Sequence, residues 1–231
     1  MSILSSVLVL ALTTVNLDVV TVPLSNEIKI ALTPGARSEI RREGTVTRIK
    51  IDIDRVAAPS TLGPAFNTYV VWAMSPEGIL DNLGELEVKG GKGLFSATTR
   101  LTQFGLFITA EPHYMVDQPS SAVAYRSQIP ETDVRRRTMP AEVGTYDYSQ
   151  LKPVSSTGVH NFVAQARIAF QIAQAAGAER LAPTDFRNAQ VALGALEELV
   201  NRAAPVDILW PTAHEAIRWS QRAAATVRGK R

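Results

Sequence analysis

At 231 residues, 45% of them apolar, the chain is long enough for one large or two small domains with buried cores, and too hydrophobic for wholesale disorder. A formal charge of only +2 does not indicate a nucleic-acid binder; nine Lys/Arg face six Asp/Glu from Val159 onward, the excess gathered at Arg218, Arg222, Arg228, Lys230 and Arg231. The sequence contains no cysteine, which excludes disulfide scaffolds, Cys-ligated zinc, thiol nucleophiles and lipid attachment through an N-terminal cysteine.

Residues 3–17 are nearly free of charge, and the run Val7-Leu8-Val9-Leu10-Ala11-Leu12 has the length of a signal-peptide core. It is too short for a membrane span. No Lys or Arg precedes it and no clear Ala-x-Ala site follows, while Val19-Val20-Thr21-Val22 continues a β-branched character. The segment therefore also reads as a buried N-terminal strand. Residues 1–24 are set apart as a signal or apolar N-terminal segment, with export cleavage expected between about Ala11 and Ser25.

From there the period is two. Ile28, Ile30 and Leu32 share one face, as do Ile49, Ile51 and Ile53, with Arg48, Lys50, Asp52 and Asp54 opposite. Such alternation predicts antiparallel strands with one solvated face. Arg42-Glu43-Gly44 predicts a hairpin folding residues 36–41 onto 46–56. Tyr69–Met74 is apolar on both faces and predicts a central strand, ended by Pro76-Glu77-Gly78. Gly90-Gly91-Lys92-Gly93, between residues 83–88 and 94–101, is the strongest hairpin signal. Residues 104–110 form a core strand stopped by Glu111-Pro112, and residues 122–126 a last one. Seven or eight short strands over residues 25–128 predict an immunoglobulin-like antiparallel β-sandwich. Three stretches, Asn67-Thr-Tyr-Val-Val-Trp-Ala-Met-Ser-Pro-Glu-Gly, Asn82-Leu-Gly-Glu-Leu and Phe104-Gly-Leu-Phe-Ile-Thr-Ala-Glu-Pro, carry a resemblance over residues 36–126. This part resembles the N-terminal β-module of uncharacterised envelope proteins of acidobacteria-like genomes. The resemblance implies export and brings no catalytic residues with it.

Residues 129–157, with Arg135-Arg136-Arg137 and several prolines, read as a solvated linker rather than a phosphate-contacting patch. From residue 158 the period becomes three and four. Phe162, Ala166, Ala169, Phe170, Ala173 and Ala176 make one helix face, with Gly177 as its C-cap. Thr184 or Asp185 is expected to cap a second helix, whose Phe186, Ala189, Leu193, Leu196 and Val200 form a short heptad-like seam. Pro205 and Pro211 bracket an expected break, after which Thr212-Ala-His-Glu215 has the form of a capping box opening a third helix with Ala213, Ile217 and Ala224 on one side. Residues 158–231 are thus a helical hairpin or three-helix module, and the chain as a whole is α+β. Within residues 160–228 the Ala-Gly-Ala-Glu, Ala-Pro and Phe-x-x-Ala elements are similar to a helical domain of unknown function found in bacterial envelope proteins, often ahead of an OmpA-like domain. Together the two resemblances imply a cell-envelope location, periplasmic or secreted.

No catalytic, cofactor-binding or metal-binding residue is assigned, and no cofactor is expected. His113, His160 and His214 lack metal spacing. Glu111 and His113 can meet at a strand end, but without a third partner His113 reads as a loop residue. Ser120-Ser121 lacks the nucleophile-elbow context, and Gly90–Gly93 lacks the Ser/Thr and helix of a phosphate loop. Asp52, Asp54, Glu85 and Glu87 read as solvated strand surface, Trp72 and Trp219 as core, and Trp210, beside Pro211, as exposed. The expected function is a non-enzymatic envelope protein acting through a protein partner or self-association, the latter motivated by the Phe186–Val200 seam. Alternatives are a glycan or peptidoglycan-binding module using Tyr69, Tyr114 or Tyr125, and peripheral membrane contact through Arg218, Arg222 and Arg228.

Overall fold

The computed structural model describes residues 12–24, 27–154 and 158–229. In these residues the strands precede the helices in chain order, as the change of period predicts. The strands are β1 Thr13–Thr21, β2 Ile28–Thr33, β3 Ala36–Glu43, β4 Val46–Ile53, β5 Thr68–Met74, β6 Leu80–Glu85, β7 Glu87–Lys89, β8 Lys92–Thr99, β9 Gln103–Glu111, β10 Val123–Gln128 and β11 Thr138–Val143. The helices are α1 Asn161–Ala175, α2 Ala178–Leu181, α3 Pro183–Asn201 and α4 Val206–Arg228.

Local chemistry sets the hairpins. β3 and β4 turn at Gly44 with φ +60°, while Gly90 and Gly91 take φ +57° and +77° between Lys89 and Lys92. Two successive positive φ values make the primed turn that matches strand twist, and glycine adopts them without steric cost. The alternating isoleucines then all face inward: Ile40, Ile49, Ile51 and Ile53 are buried in one cluster with Leu32, Val71, Leu106 and Ile108.

The sheet is antiparallel throughout, in the order β11-β1-β9-β10-β2-β3-β4-β8-β7, with β5 between β9 and β6. β6 and β7 adjoin through Leu86, whose amide bonds the Tyr69 carbonyl on β5. The ladder thus curls back on itself, nearly into a barrel filled by side chains. The α+β class and the antiparallel sheet are as expected, and the finer immunoglobulin-like sandwich is not confirmed by these hydrogen bonds. Which strand neighbours which is decided by non-local pairing that turn signals do not encode.

β5 and β9 are apolar on both faces because both are covered. Their outer side chains, Val70, Trp72 and Phe107, lie under Leu17 and Val19 of β1 and Met139, Ala141 and Val143 of β11. β11 corrects the expectation of a linker over 129–157. It alternates inward Met139, Ala141 and Val143 with outward Thr138, Pro140 and Glu142. Pro140 is tolerated because, among the described residues, β11 is an edge strand paired with β1 alone. The apolar N-terminal segment is likewise a strand from Thr13, in agreement with the buried-strand reading; residues 3–11 of that segment lie outside the described residues. The expected cleavage window overlaps β1.

Asp18 clasps the outer layer. Its buried carboxylate accepts from the Ile129 amide (2.8 Å), the Thr138 hydroxyl (3.0 Å) and Arg136 Nε (3.2 Å). The triple arginine is therefore partly structural: Arg136 is spent on Asp18, and Arg135 on Asp133. Replacing Asp18 by Ala leaves the half-buried Ile129 amide without its acceptor and Arg136 with Glu131 alone (3.5 Å). We expect it to cost about 1–3 kcal/mol in urea unfolding, with Asp18→Asn costing less.

The helices form a bundle in which α4 packs along α3 and α1. Ala166, Ala169, Ala173, Ala213, Ile217 and Ala224 are buried, as their spacing predicts. Two boundaries differ from expectation. α3 starts at Pro183, and Asp185 pairs with Arg222 (3.1 Å) and accepts from Thr226 (3.1 Å) instead of capping. α4 runs through Pro211, with Thr212 donating its hydroxyl to the Ile208 carbonyl (3.2 Å). Leu209, ahead of the proline, is buried in the same cluster as Ala213, Ala216 and Ile217, so packing outweighs the one backbone bond that proline removes.

Candidate functional site

Two places concentrate polar groups. The first lies where β9 ends. Trp72 Nε1 donates to Thr109 Oγ1 (2.8 Å), Thr109 donates to Glu111 Oε1 (2.5 Å), and the Ser120 amide donates to the same oxygen (2.7 Å). Glu111 Oε2 and both ring nitrogens of His113 are buried with no hydrogen-bond partner among the described residues. Burial pushes the Glu111 carboxyl up to about 8 against the bonds from Ser120 and Thr109. Burial also pushes His113 down to about 3, opposed by Asp117 and reinforced by Arg228. Burial thus favours the protonated acid at Glu111 and the neutral imidazole at His113. Ser120 Oγ donates to the Ala110 carbonyl (2.7 Å), so its hydroxyl is committed to the main chain rather than to an imidazole base.

This cluster also joins the modules. Arg228, at the end of α4, pairs with Asp117 (2.5 Å) and lies 4.6 Å over the Tyr146 ring. Tyr148 is buried beside it, its hydroxyl pushed well above the ordinary tyrosine value by burial and by the charges of Glu111 and Asp117. A small cavity of about 230 Å³ opens alongside, lined by Phe66, Ser120, Tyr146 and Tyr148 among others.

The second place is a cleft of about 750 Å³ between sheet and helices. Asn67, Thr68, Glu85, Glu87, Val88 and Lys89 line one wall, and Asn161, Phe162, Gln165, Val206 and Trp210 the other. Gln165 ties the walls together: its Oε1 accepts from the Tyr114 amide (2.9 Å) and its Nε2 donates to Glu85 Oε1 (2.6 Å). Thr68 donates to the same Glu85 oxygen (2.5 Å). Glu85 is exposed as a residue, yet crowding around its carboxyl raises its pKa, while the bonds from Thr68 and Gln165 oppose the rise. Trp210 is 50% exposed. One side of its indole stacks on His214 (centroids 5.4 Å apart), and His214 Nδ1 shares a 2.5 Å hydrogen bond with the Tyr114 hydroxyl. Burial, with the Glu85 charge second, pushes that hydroxyl up to about 12.

The structure sorts the residues singled out in the sequence. Glu111 and Ser120 come together through the Ser120 amide, and His113 is buried with no hydrogen bond to either. Trp210 is exposed and Trp72 is core, as expected. Trp219 is only half-buried, between the guanidinium groups of Arg218 (4.5 Å) and Arg222 (5.2 Å). Tyr69 and Tyr125 are buried, donating to the Ala57 and Arg55 carbonyls, and Tyr114 is committed to His214, so none of the three offers a free ring to a glycan. Arg218, Arg222 and Arg228 pair with Glu215, Asp185 and Asp117, which compensates the charge expected to meet a membrane. Phe186, Ala189 and Leu196 of the heptad-like seam are buried inside the bundle, so the seam expected to drive self-association is already filled.

Glu85 and Gln165 were not marked by sequence. Glu85 follows the outward alternation of a solvated strand, and Gln165 is one polar residue in an Ala-rich helix. A glutamine fully buried on an apolar face would have been the signal, but burial is known only once the modules dock. Among the described residues no group of three or more His, Asp or Glu is placed to hold a metal ion, and no helix is long and apolar enough to cross a membrane. Compared with family models, curated proteins and solved structures, the chain matches none of them.

Proposed function

We propose that the protein is a non-enzymatic cell-envelope binding protein whose ligand sits in the cleft between the curled sheet and the helices. The observation that carries the reading is Trp210: a large aromatic ring, held from behind by His214, that faces an interface cleft instead of the core. Ligand sites favour such clefts, where exposed aromatic area meets a few placed polar groups. The sheet is the rigid support, keeping the interaction role expected of an immunoglobulin-like module. The envelope location rests on the resemblances over residues 36–126 and 160–228.

The test is retention of the full chain on purified cell-wall sacculi. Wild type is expected to be retained, and Trp210→Ala to lose most of that retention while keeping its circular-dichroism spectrum and unfolding midpoint. No retention of wild type, or equal retention of both proteins, overturns the reading.

A further inference from the structure

We propose that the cleft binds a primary alkylammonium group, seated between the open face of Trp210 and the free carboxylate oxygen of Glu85; this deepens the binding reading above and rests on it. The argument is an inventory of what the cleft has left to offer. Two of its amide donors are engaged: Gln165 Nε2 on Glu85, and Asn67 Nδ2 on the carbonyls of Ala65 (3.3 Å) and Pro112 (3.2 Å). Its cation is spent too, since Lys89 pairs with Glu87 at 2.5 Å. Glu85 Oε1 is saturated by Thr68 and Gln165, whereas Oε2 has no partner and Glu85 makes no ion pair among the described residues. What remains is the acceptors Glu85 Oε2 and Asn67 Oδ1, with the indole N–H of Trp210 and the side chains of Ser60 and Asn161 also in the lining; of the charged groups there, Glu85 is the one without a countercharge.

A carboxylate without a countercharge selects a cation, and an ammonium brings three donors to it. Trp210 adds to the same preference, since indole is the best aromatic partner for a cation. The groups that face Glu85 leave its charge uncompensated. On its own wall Glu87 and Lys89 cancel, α1 contributes neutral Asn161 and Gln165, and Tyr114 with His214 stands behind Trp210. A bound cation supplies the missing countercharge, so binding favours ionised Glu85 and weakens as pH falls through its raised pKa.

The experiment is calorimetric titration of the full chain with four probes: N-acetyl-Gly-Lys-Gly-amide, the same peptide acetylated on the lysine, Gly-Gly-amide with a free amino terminus, and an N-acetylated chito-oligosaccharide. We expect at least one amine probe to bind, and acetylating its amine to weaken it at least about tenfold. Glu85→Gln, which keeps the oxygen used by Thr68 and Gln165, should lose a similar factor without loss of thermal stability. Preference between the two amine probes identifies a side-chain or a terminal amine as the source, and either supports the proposal. Equal affinity for the acetylated peptide, no effect of Glu85→Gln, or selective binding of the oligosaccharide overturns it, as does failure of both amines to bind. Retention on sacculi that survives acetylation of their amines would refute the ammonium while leaving the cleft as a binding site.

Discussion

Stability should be greatest between about pH 4.5 and 6.5 as far as Glu111 and His113 control it, and should decline on both sides for separate reasons. Folded Glu111 keeps its proton up to about pH 8, while the unfolded carboxyl titrates near 4.5. The native state then holds the extra proton between those values, so stability is fully present below 4.5 and is lost as pH rises toward 8. His113 works in the opposite direction: the folded imidazole refuses a proton down to about pH 3, while the unfolded one accepts it near 6.5. Its contribution is present above 6.5 and is lost as pH falls toward 3. Between 4.5 and 6.5 the two slopes cancel, each being at most about 1.4 kcal/mol per pH unit. Urea unfolding across pH 3–9 should show Glu111→Gln removing the decline from 6.5 to 8, and His113→Leu making the acid limb shallower by about one proton. A wild-type curve that stays level from 6.5 to 8 would show that Glu111 is ionised in its site.

Gly105→Ala should destabilise the protein by about 1–3 kcal/mol, although alanine ordinarily suits a strand better than glycine does. Gly105 lies where β1 crosses onto β9, paired with Val19. A Cβ there would stand 2.7 Å from Leu17 Cβ and 2.8 Å from Met139 Cε. The methionine tip can swing aside, but the Leu17 Cβ moves only with its backbone, so β1 must lift. Lifting it opens the cluster that covers Val70, Trp72 and Phe107. The measurement is the urea midpoint together with the near-ultraviolet signal of Trp72. A variant as stable as wild type would mean that β1 does not lie on β9 in this register.

Both predictions rest on burial or close approach that the sequence does not show, and the reason is the same. Gly105 sits inside a plain apolar strand, and its need for a missing side chain arises from a strand nearly ninety residues away in the chain. Glu111 and His113 were visible as neighbours at a strand end, but their burial depends on the 112–122 loop and on Arg228 closing over them. β11 was hidden by Pro140 and by the charged residues ahead of it, although its inward positions alternate correctly. Pro211 pointed to a break that does not occur, because Leu209 and Ala213 bury the helix on both sides of it.

By itself the sequence determined the α+β class, the order of strands before helices, the glycine hairpins and the buried face of each main helix, because these follow from residue periodicity and local backbone preference. Only the tertiary structure decided that the strands curl nearly into a barrel, that β1 and β11 cover it, and that Glu85, Gln165 and Trp210 share a cleft. Those outcomes depend on pairing and docking between residues far apart in the chain. Periodicity reports which face of an element is apolar, but not what will cover it.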